Sequence, residues 1–244
     1  MKRTRTILSI LACVALLASC SVYHPQLADI PLMEEKGELR VDAAASMTEL
    51  YAVKANLTAT YAFADHLAVQ AFGSLGEEQR YHIHGALGCF EAFDNHTVIE
   101  LYGGAAKGFG FAENNWYIDD GRLDADYNLV FTQLNYGWVS PGDFDIGMGV
   151  RVGQLHNLTS DYSYYGNYSN REVQTLSYDE RSLLVEPVAF MRFGGEHVKV
   201  CFKMGFCWLS GASDIERHFP YHRFNFGVGI NYSLGRSCHS GSSF

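Results

Sequence analysis

An alternation of apolar and polar residues with a period of two runs through most of this 244-residue chain, and it limits the fold to β-strands. It is clearest from residue 224 to residue 234, where one face carries only large apolar side chains, those of Phe224, Phe226, Val228, Ile230, Tyr232 and Leu234. The other face carries asparagine, glycine and serine. These 11 residues match the roughly 9 to 11 that a tilted strand needs to cross a bilayer. The pattern therefore predicts an all-β chain with strands long enough to span a membrane.

Ten segments of this kind follow one another, and the lengths of their connections alternate. We predict strands at 37–47, 51–63, 67–74, 81–92, 97–108, 123–138, 144–155, 182–193, 198–208 and 224–235. Short turns near 64–66, 93–96, 139–143 and 194–197 alternate with longer segments at 75–80, 109–122, 156–181 and 209–223. Outer-membrane barrels have short periplasmic turns, longer extracellular loops and an even number of strands. The sequence thus predicts a transmembrane antiparallel up-and-down β-barrel of about ten strands, with eight as the alternative, over residues 37–235.

A soluble sandwich or lipocalin-like barrel would show the same alternation, so the composition of the two faces has to separate the alternatives. The polar face is crowded with glycine and other small residues, which suit a narrow lumen better than a solvated exterior: Gly147, Gly149, Gly227, Gly229 and Ser233. Aromatic residues near predicted strand ends suit the interfacial girdles of a membrane barrel: Tyr61, Phe63, Tyr136, Trp138, Phe193 and Trp208. In this pattern the chain resembles the small outer-membrane β-barrels of the OmpA-like and OmpX-like family, although those barrels have eight strands.

The first 20 residues have the layout of a secretory signal peptide. Lys2, Arg3 and Arg5 precede an apolar run from Ile7 to Leu17, which is too short for a spanning helix. The sequence Leu17-Ala18-Ser19-Cys20 resembles the bacterial lipobox, which implies cleavage before Cys20 and acylation of that cysteine. We therefore expect a signal peptide at 1–19, a lipidated linker at 20–36, the barrel at 37–235 and a C-terminal tail at 236–244. With both barrel termini in the periplasm, the anchor is expected in the periplasmic leaflet.

The cysteine positions argue against a disulfide and a metal site, and the net charge limits the possible binding partners. Cys201 and Cys207 on one strand would be about 20 Å apart, too far for a disulfide, and Cys-x-x-Cys metal spacing is absent from the sequence. The formal charge of -9 argues against nucleic acid as a partner. We expect no cofactor other than acyl chains on Cys20, and a monomer in contact with outer-membrane lipid.

Charged residues on the polar face define a candidate lumen network, because that face points inward if the apolar face meets lipid. Six positive and four negative residues share it: Arg40, Asp42, Lys54, Glu100, Asp145, Arg151, Glu186, Arg192, Lys199 and Lys203. Unpaired charges in a narrow interior would be costly. The predicted lumen is therefore closed by ion pairs, and a narrow channel for small solutes is the alternative.

The outer loops suggest surface contacts more than catalysis. Tyr162, Tyr164, Tyr165 and Tyr168 in the segment 156–181 are typical of recognition surfaces and also of loops near headgroups. Asp119 and Asp120, with Asp214 and His218, are the candidates for an omptin-like protease, but their spacing departs from the Asp-x-His of that family. No metal site is expected at His82, His84, His218 and His222. The predicted function is a structural or surface-interaction barrel able to meet an extracellular ligand at its loops, not an enzyme.

Overall fold

A computed structural model of the protein describes residues 22–27, 30–48, 53–76, 79–113, 121–140, 143–165, 171–177, 181–210 and 221–235, without the side chains of 113, 121, 157–165 and 171–177. The described strands are β1 (Leu39–Met47), β2 (Val53–Ala64), β3 (Leu67–Gly76), β4 (Tyr81–Ala92), β5 (Thr97–Glu113), β6 (Gly121–Val139), β7 (Phe144–Tyr165), β8 (Arg171–Ser177), β9 (Ser182–Gly194), β10 (Val198–Phe206), β11 (Trp208–Ser210) and β12 (Phe224–Leu234). In these ranges no helix is long and apolar enough to span a membrane.

Ten of these strands close into an antiparallel barrel. Each of β1 to β7 pairs with the next, β7 pairs with β9, β9 with β10 and β10 with β12. The ring closes where β12 pairs with β1, from Leu39 opposite Leu234 to Met47 opposite Phe226. β8 and β11 continue ring strands toward the loop end, because β8 pairs with β7 on the edge that β9 uses and β11 pairs with β9 on the edge that β10 uses. The predicted up-and-down barrel of ten strands is therefore confirmed.

The two ends of the barrel differ in their connections. At one end, here called the turn end, strands join through residues 65–66, 93–96, 140–143 and 195–197. At the other, called the loop end, the connections include 114–120 and 211–223. β1 starts and β12 ends at the turn end. In outer-membrane barrels generally, the short turns lie on the periplasmic side and the longer loops on the outer side.

The strands near the loop end are longer than predicted. The segment 156–181 was expected to be a loop, but its backbone continues β7 to Tyr165 and returns as β8. Likewise β5 continues to Glu113 and β6 starts at Gly121, inside the predicted loop 109–122. The reason lies in the face pattern of β6. Leu129 and Tyr127 point inward, whereas Asp126 points outward, so the apolar face changes sides where the strand rises above the membrane.

Large apolar side chains form a continuous outward band around the barrel. Many are 38–66% exposed, including Leu57, Leu87, Leu134, Met148, Val200 and Ile230. Outward charged and amide residues on β5, β6 and β7 first appear toward the loop end, at Lys107, Asn128 and Gln154. A protein in water would bury such a band, and a bilayer covers it. The polar residues are inside, so the faces are inverted relative to a soluble barrel.

A segment preceding β1 lies inside this barrel. We call residues 22–27 and 30–38 the lumen segment. Its side chains are largely buried, with Tyr23, Leu32 and Met33 fully inaccessible. At its end Gly37 has φ of +85°, a conformation that glycine adopts without strain and that turns the chain into β1. The predicted linker at 20–36 is therefore a packed structural element over the part that the structure describes.

Candidate functional site: the filled lumen

All ten charged residues selected from the sequence are buried inside the barrel. Two lysine–aspartate pairs each reach across an intervening strand. Lys199 on β10 donates to Asp145 on β7 at 2.6 Å, across β9. Lys203 on β10 donates to Asp42 on β1, across β12. The Lys203–Asp42 pair therefore ties together strands on both sides of the barrel closure, and the Lys199–Asp145 pair ties β10 to β7.

A third group of side chains centres on Glu186, which joins the barrel wall to the lumen segment. Its carboxylate accepts hydrogen bonds from the Tyr23 hydroxyl at 2.9 Å and the Gln26 backbone amide at 3.1 Å. Arg151 approaches the same carboxylate at 3.4 Å and donates to the Gln133 side chain at 2.8 Å. Glu186 thus links Arg151 of the barrel wall to the backbone of the lumen segment at Gln26.

Glu100 and Arg192 hold the segment in the same way nearer the turn end. Glu100 accepts from the Met33 backbone amide at 2.8 Å and from the Asn135 side chain at 2.9 Å. The Arg192 guanidinium donates to the backbone carbonyls of Ile30 and Pro31. An extended segment outside the sheet has no ladder partners, and buried backbone groups need partners. These lumen side chains supply them.

Arg40 closes the turn end with residues that the sequence analysis did not select. It donates to Glu38 at 2.6 Å and lies 3.8 Å from Glu34. Glu38 also accepts from the Glu34 backbone amide at 2.8 Å. Because Glu38 is fully buried, it adds a fifth negative charge to the predicted six positive and four negative ones.

The loop end of the lumen is apolar on the side of β5, β6, β7 and β9. Val22 and Tyr23 belong to one cluster of buried residues with inward side chains of these strands, among them Ala112, Leu123 and Leu155. Tyr23 and Tyr127 are in edge contact, with ring centroids 5.2 Å apart. On the side of β2 the loop end is polar, because Lys54 is buried there.

The histidines of β4 lie inside the barrel. His82 and His84 point into the lumen, where a ring nitrogen of His82 lies 3.1 Å from the Tyr127 hydroxyl. His222 is separate, near His24, and His218 lies outside the described residues. Among the described residues no group of histidine, cysteine, aspartate or glutamate could hold a metal ion.

Internal space within the described lumen is small. Two cavities between the lumen segment and the wall measure about 10 Å³ each, near the size needed for one water molecule. A larger depression of about 490 Å³ lies on the outer wall beside Tyr136, Met148 and Phe202, on the face that meets lipid. The segment therefore occupies most of the space between the walls at the levels where these cavities lie.

Several predicted residues cannot be placed. Cys20, Tyr168, Asp119, Asp120 and Asp214 lie outside the described residues, as does the tail at 236–244. Tyr162, Tyr164 and Tyr165 lie on β7, but their side chains are not described. Cys201 and Cys207 are free thiols. The omptin-like arrangement therefore has no described geometry.

The lumen segment is what the sequence analysis missed. Its residues were assigned to a linker because Pro25 and Pro31 oppose regular structure. A signal was nevertheless present, because Leu27, Ile30 and Leu32 are more apolar than a solvated linker requires. Large apolar residues in a connection beside a barrel indicate that the connection is buried.

A closed antiparallel ring with an apolar exterior and a polar, filled interior defines this chain as a small outer-membrane β-barrel. The predicted class is confirmed, with ten strands in place of the eight of the OmpA-like and OmpX-like barrels. Its location is the bacterial outer membrane.

Comparison with known proteins agrees with this class without adding a closer relationship. No protein-family model and no curated protein matches the chain. The N-terminal β-barrel domain of Pseudomonas aeruginosa OprF is similar at 9% identity and a TM-score of 0.38, over 82% of this chain and 98% of that one. The KdgM porin is similar at 11% identity and a TM-score of 0.40, over 80% and 99%. Because these TM-scores are low, the class rests on the strand pairing and faces of this chain.

Proposed function

We propose that the protein is a non-conducting outer-membrane barrel with a structural or surface-interaction role, and that Cys20 carries its lipid anchor. One observation carries the closed lumen: the wall's buried charges bind the backbone of the lumen segment at Gln26, Ile30, Pro31 and Met33. A solute would have to displace this segment and leave charges such as Glu100 and Arg192 without those partners. Leaving a buried charge uncompensated costs about 3–5 kcal/mol.

The surface role is supported by the strands that rise above the lipid band. β5, β6 and β7 carry outward polar residues there, and β8 extends the same sheet. Such a projection presents polar side chains to the medium, where an extracellular ligand could bind. We propose no catalytic activity, because no described cluster combines a nucleophile or activated water with an accessible cleft.

Conductance in planar lipid bilayers tests the closed lumen. The full-length protein is expected to show no stable open level. A variant in which Tyr23, Leu27 and Leu32 are all replaced by alanine loosens the segment and is expected to produce open events. A matched control replaces three lipid-facing residues, Leu57, Leu87 and Leu134, by alanine and is expected to stay silent.

The opposite result would favour the narrow channel. A stable open level in the unmodified protein, with the same conductance in the loosened variant, would mean that the segment does not block the lumen. Heat-modifiable mobility in gels verifies that each variant has formed a barrel before its conductance is interpreted.

A further inference from the structure

The lumen segment runs from one end of the barrel to the other, and the order of its contacts gives its direction. At its start, the Tyr23 carbonyl accepts from the His222 amide at 2.8 Å, and His24 contacts Thr48. His222 lies just before β12 and Thr48 just after β1, so both belong to the loop end. The segment therefore starts at the outward end.

The following residues contact the wall at progressively lower levels. The Pro25 carbonyl accepts from Asn225, one residue inside β12. Leu27 lies against Gly227, where a Cβ would be 2.9 Å from its Cδ1 atom. Farther on, the Met33 amide donates to Glu100, three residues from the turn end of β5.

The segment ends at the turn end. The Gly37 amide donates to the Ala62 carbonyl at 2.7 Å, two residues before the end of β2. The chain then enters β1 and returns toward the loop end. The described parts of the segment thus follow the lumen from the loop end to the turn end, opposite in direction to β1 and enclosed by the wall.

This direction contradicts the expectation that a linker leads from the turn end to the periplasmic leaflet. Two residues of chain before Val22 span at most about 7.6 Å, because consecutive Cα atoms are 3.8 Å apart. That distance cannot reach the periplasmic leaflet, because the apolar band of such barrels is about 25 Å tall.

We infer that the mature N-terminus passes outward through the barrel's own lumen, which puts the lipid anchor of Cys20 in the outer leaflet at the cell surface. The inference rests on the proposed lipidation only for the acyl chains. The direction of the chain within the barrel rests on the described contacts, and its outward sense rests on the rule that the longer loops of outer-membrane barrels face outward. The anchor then attaches the outward end of the lumen segment to the membrane, which accounts for a lipid on a protein that already spans the bilayer.

An epitope inserted between Ser21 and Val22 tests the direction. On intact cells an antibody is expected to bind this variant as strongly as it does after the outer membrane is permeabilised. The control carries the same epitope between Gly195 and Glu196, in a turn-end connection, and is expected to bind antibody only after permeabilisation. Binding of the first variant only after permeabilisation would overturn the inference.

Labelling with radioactive palmitate separates this inference from the proposed lipidation. The unmodified protein is expected to take up label and the Cys20→Ala variant to lose it. Surface binding of the epitope without palmitate uptake would refute the lipidation and the leaflet assignment, and leave the outward path intact. Absence of heat-modifiable mobility in the unmodified protein would instead refute the barrel fold.

Crosslinking provides a second test if the inserted epitope prevents folding. In a background in which Cys89, Cys201, Cys207 and Cys238 are replaced by serine, Leu27→Cys with Gly227→Cys is expected to react with a short bifunctional thiol reagent. The link closes a loop of about 200 residues and changes the mobility of the denatured chain. The control, Leu32→Cys with Gly227→Cys, is expected not to link. Linking in the control, or its absence in the first pair, would refute the path.

Discussion

Removing the carboxylate of Asp145 is expected to destabilise the barrel strongly. Asp145 and Lys199 are almost fully buried and their charged atoms are 2.6 Å apart. Removing one member of a buried ion pair costs about 3–5 kcal/mol, because the remaining charge loses its compensation. The equilibrium constant for unfolding of Asp145→Ala should therefore rise about 140- to 4,000-fold, since each 1.4 kcal/mol is a factor of ten.

Urea titration in detergent micelles measures this change, with the unfolded fraction read from mobility in unheated gels. With a slope of about 2 kcal/mol/M, the midpoint should fall by about 1.5–2.5 M. Asp124→Ala is the matched control, since Asp124 pairs with Arg122 at 2.8 Å while both side chains remain 22–25% exposed. Such pairs contribute about 0.2–1 kcal/mol. If Asp145→Ala is no less stable than Asp124→Ala, the assignment of a stabilising buried network is wrong.

Two further substitutions test the membrane-facing wall and the lumen segment. Leu57→Arg puts a charge at the middle of the lipid-facing band and should cost about 2–4 kcal/mol of folding free energy in lipid vesicles. Gln154→Arg puts one at the loop-end margin of the band, beside the outward Val130 and Leu183, and should cost about 0–1 kcal/mol. Equal costs would mean that lipid does not cover Leu57. Gly227→Val adds side-chain atoms at a position where even a Cβ would be 2.9 Å from Leu27, so it should increase protease cleavage of residues 22–36, measured by mass spectrometry. Gly73→Val should not, because a Cβ there would have no atom within 4 Å. Similar cleavage in both variants would argue against contact between Leu27 and β12.

Much of the fold was predictable because lipid imposes a simple rule on each strand. Phe226, Val228 and Ile230 all point outward, and Asn225 and Asn231 point inward, as the period of two requires. The inward charges were predictable for the same reason, since the alternation of side chains along each strand is enough to assign them to the inner face. The ion-pair partners of these charges were not predictable. Lys199 reaches Asp145 across β9, and the alternation along one strand does not show which residues of other strands lie near it.

The strand ends were predictable only where the strands lie in lipid. On β6 the outward residue is Leu134 within the band and Asp126 above it, while the inward residue changes from Asn135 to Tyr127. Side chains still alternate between the inner and outer faces, but the apolar ones are now on the inner face. Solvent replaces lipid outside the strand there, and a protein core replaces the charged lumen inside. The predicted boundaries therefore failed on β5 and β7, which extend beyond the point of reversal.

The lumen segment occupies space that exists because the barrel has ten strands. Eight strands enclose an interior that side chains just fill, so ten strands leave additional space along the axis. Small inward residues increase it: Ala44, Gly205 and Gly227 bring no bulk to the wall, and Leu27 lies where a Cβ on either glycine would fall. An extended chain with apolar side chains fits that space, and its backbone groups need the polar partners that the wall presents. The lumen charges therefore serve both to bind one another and to bind the segment.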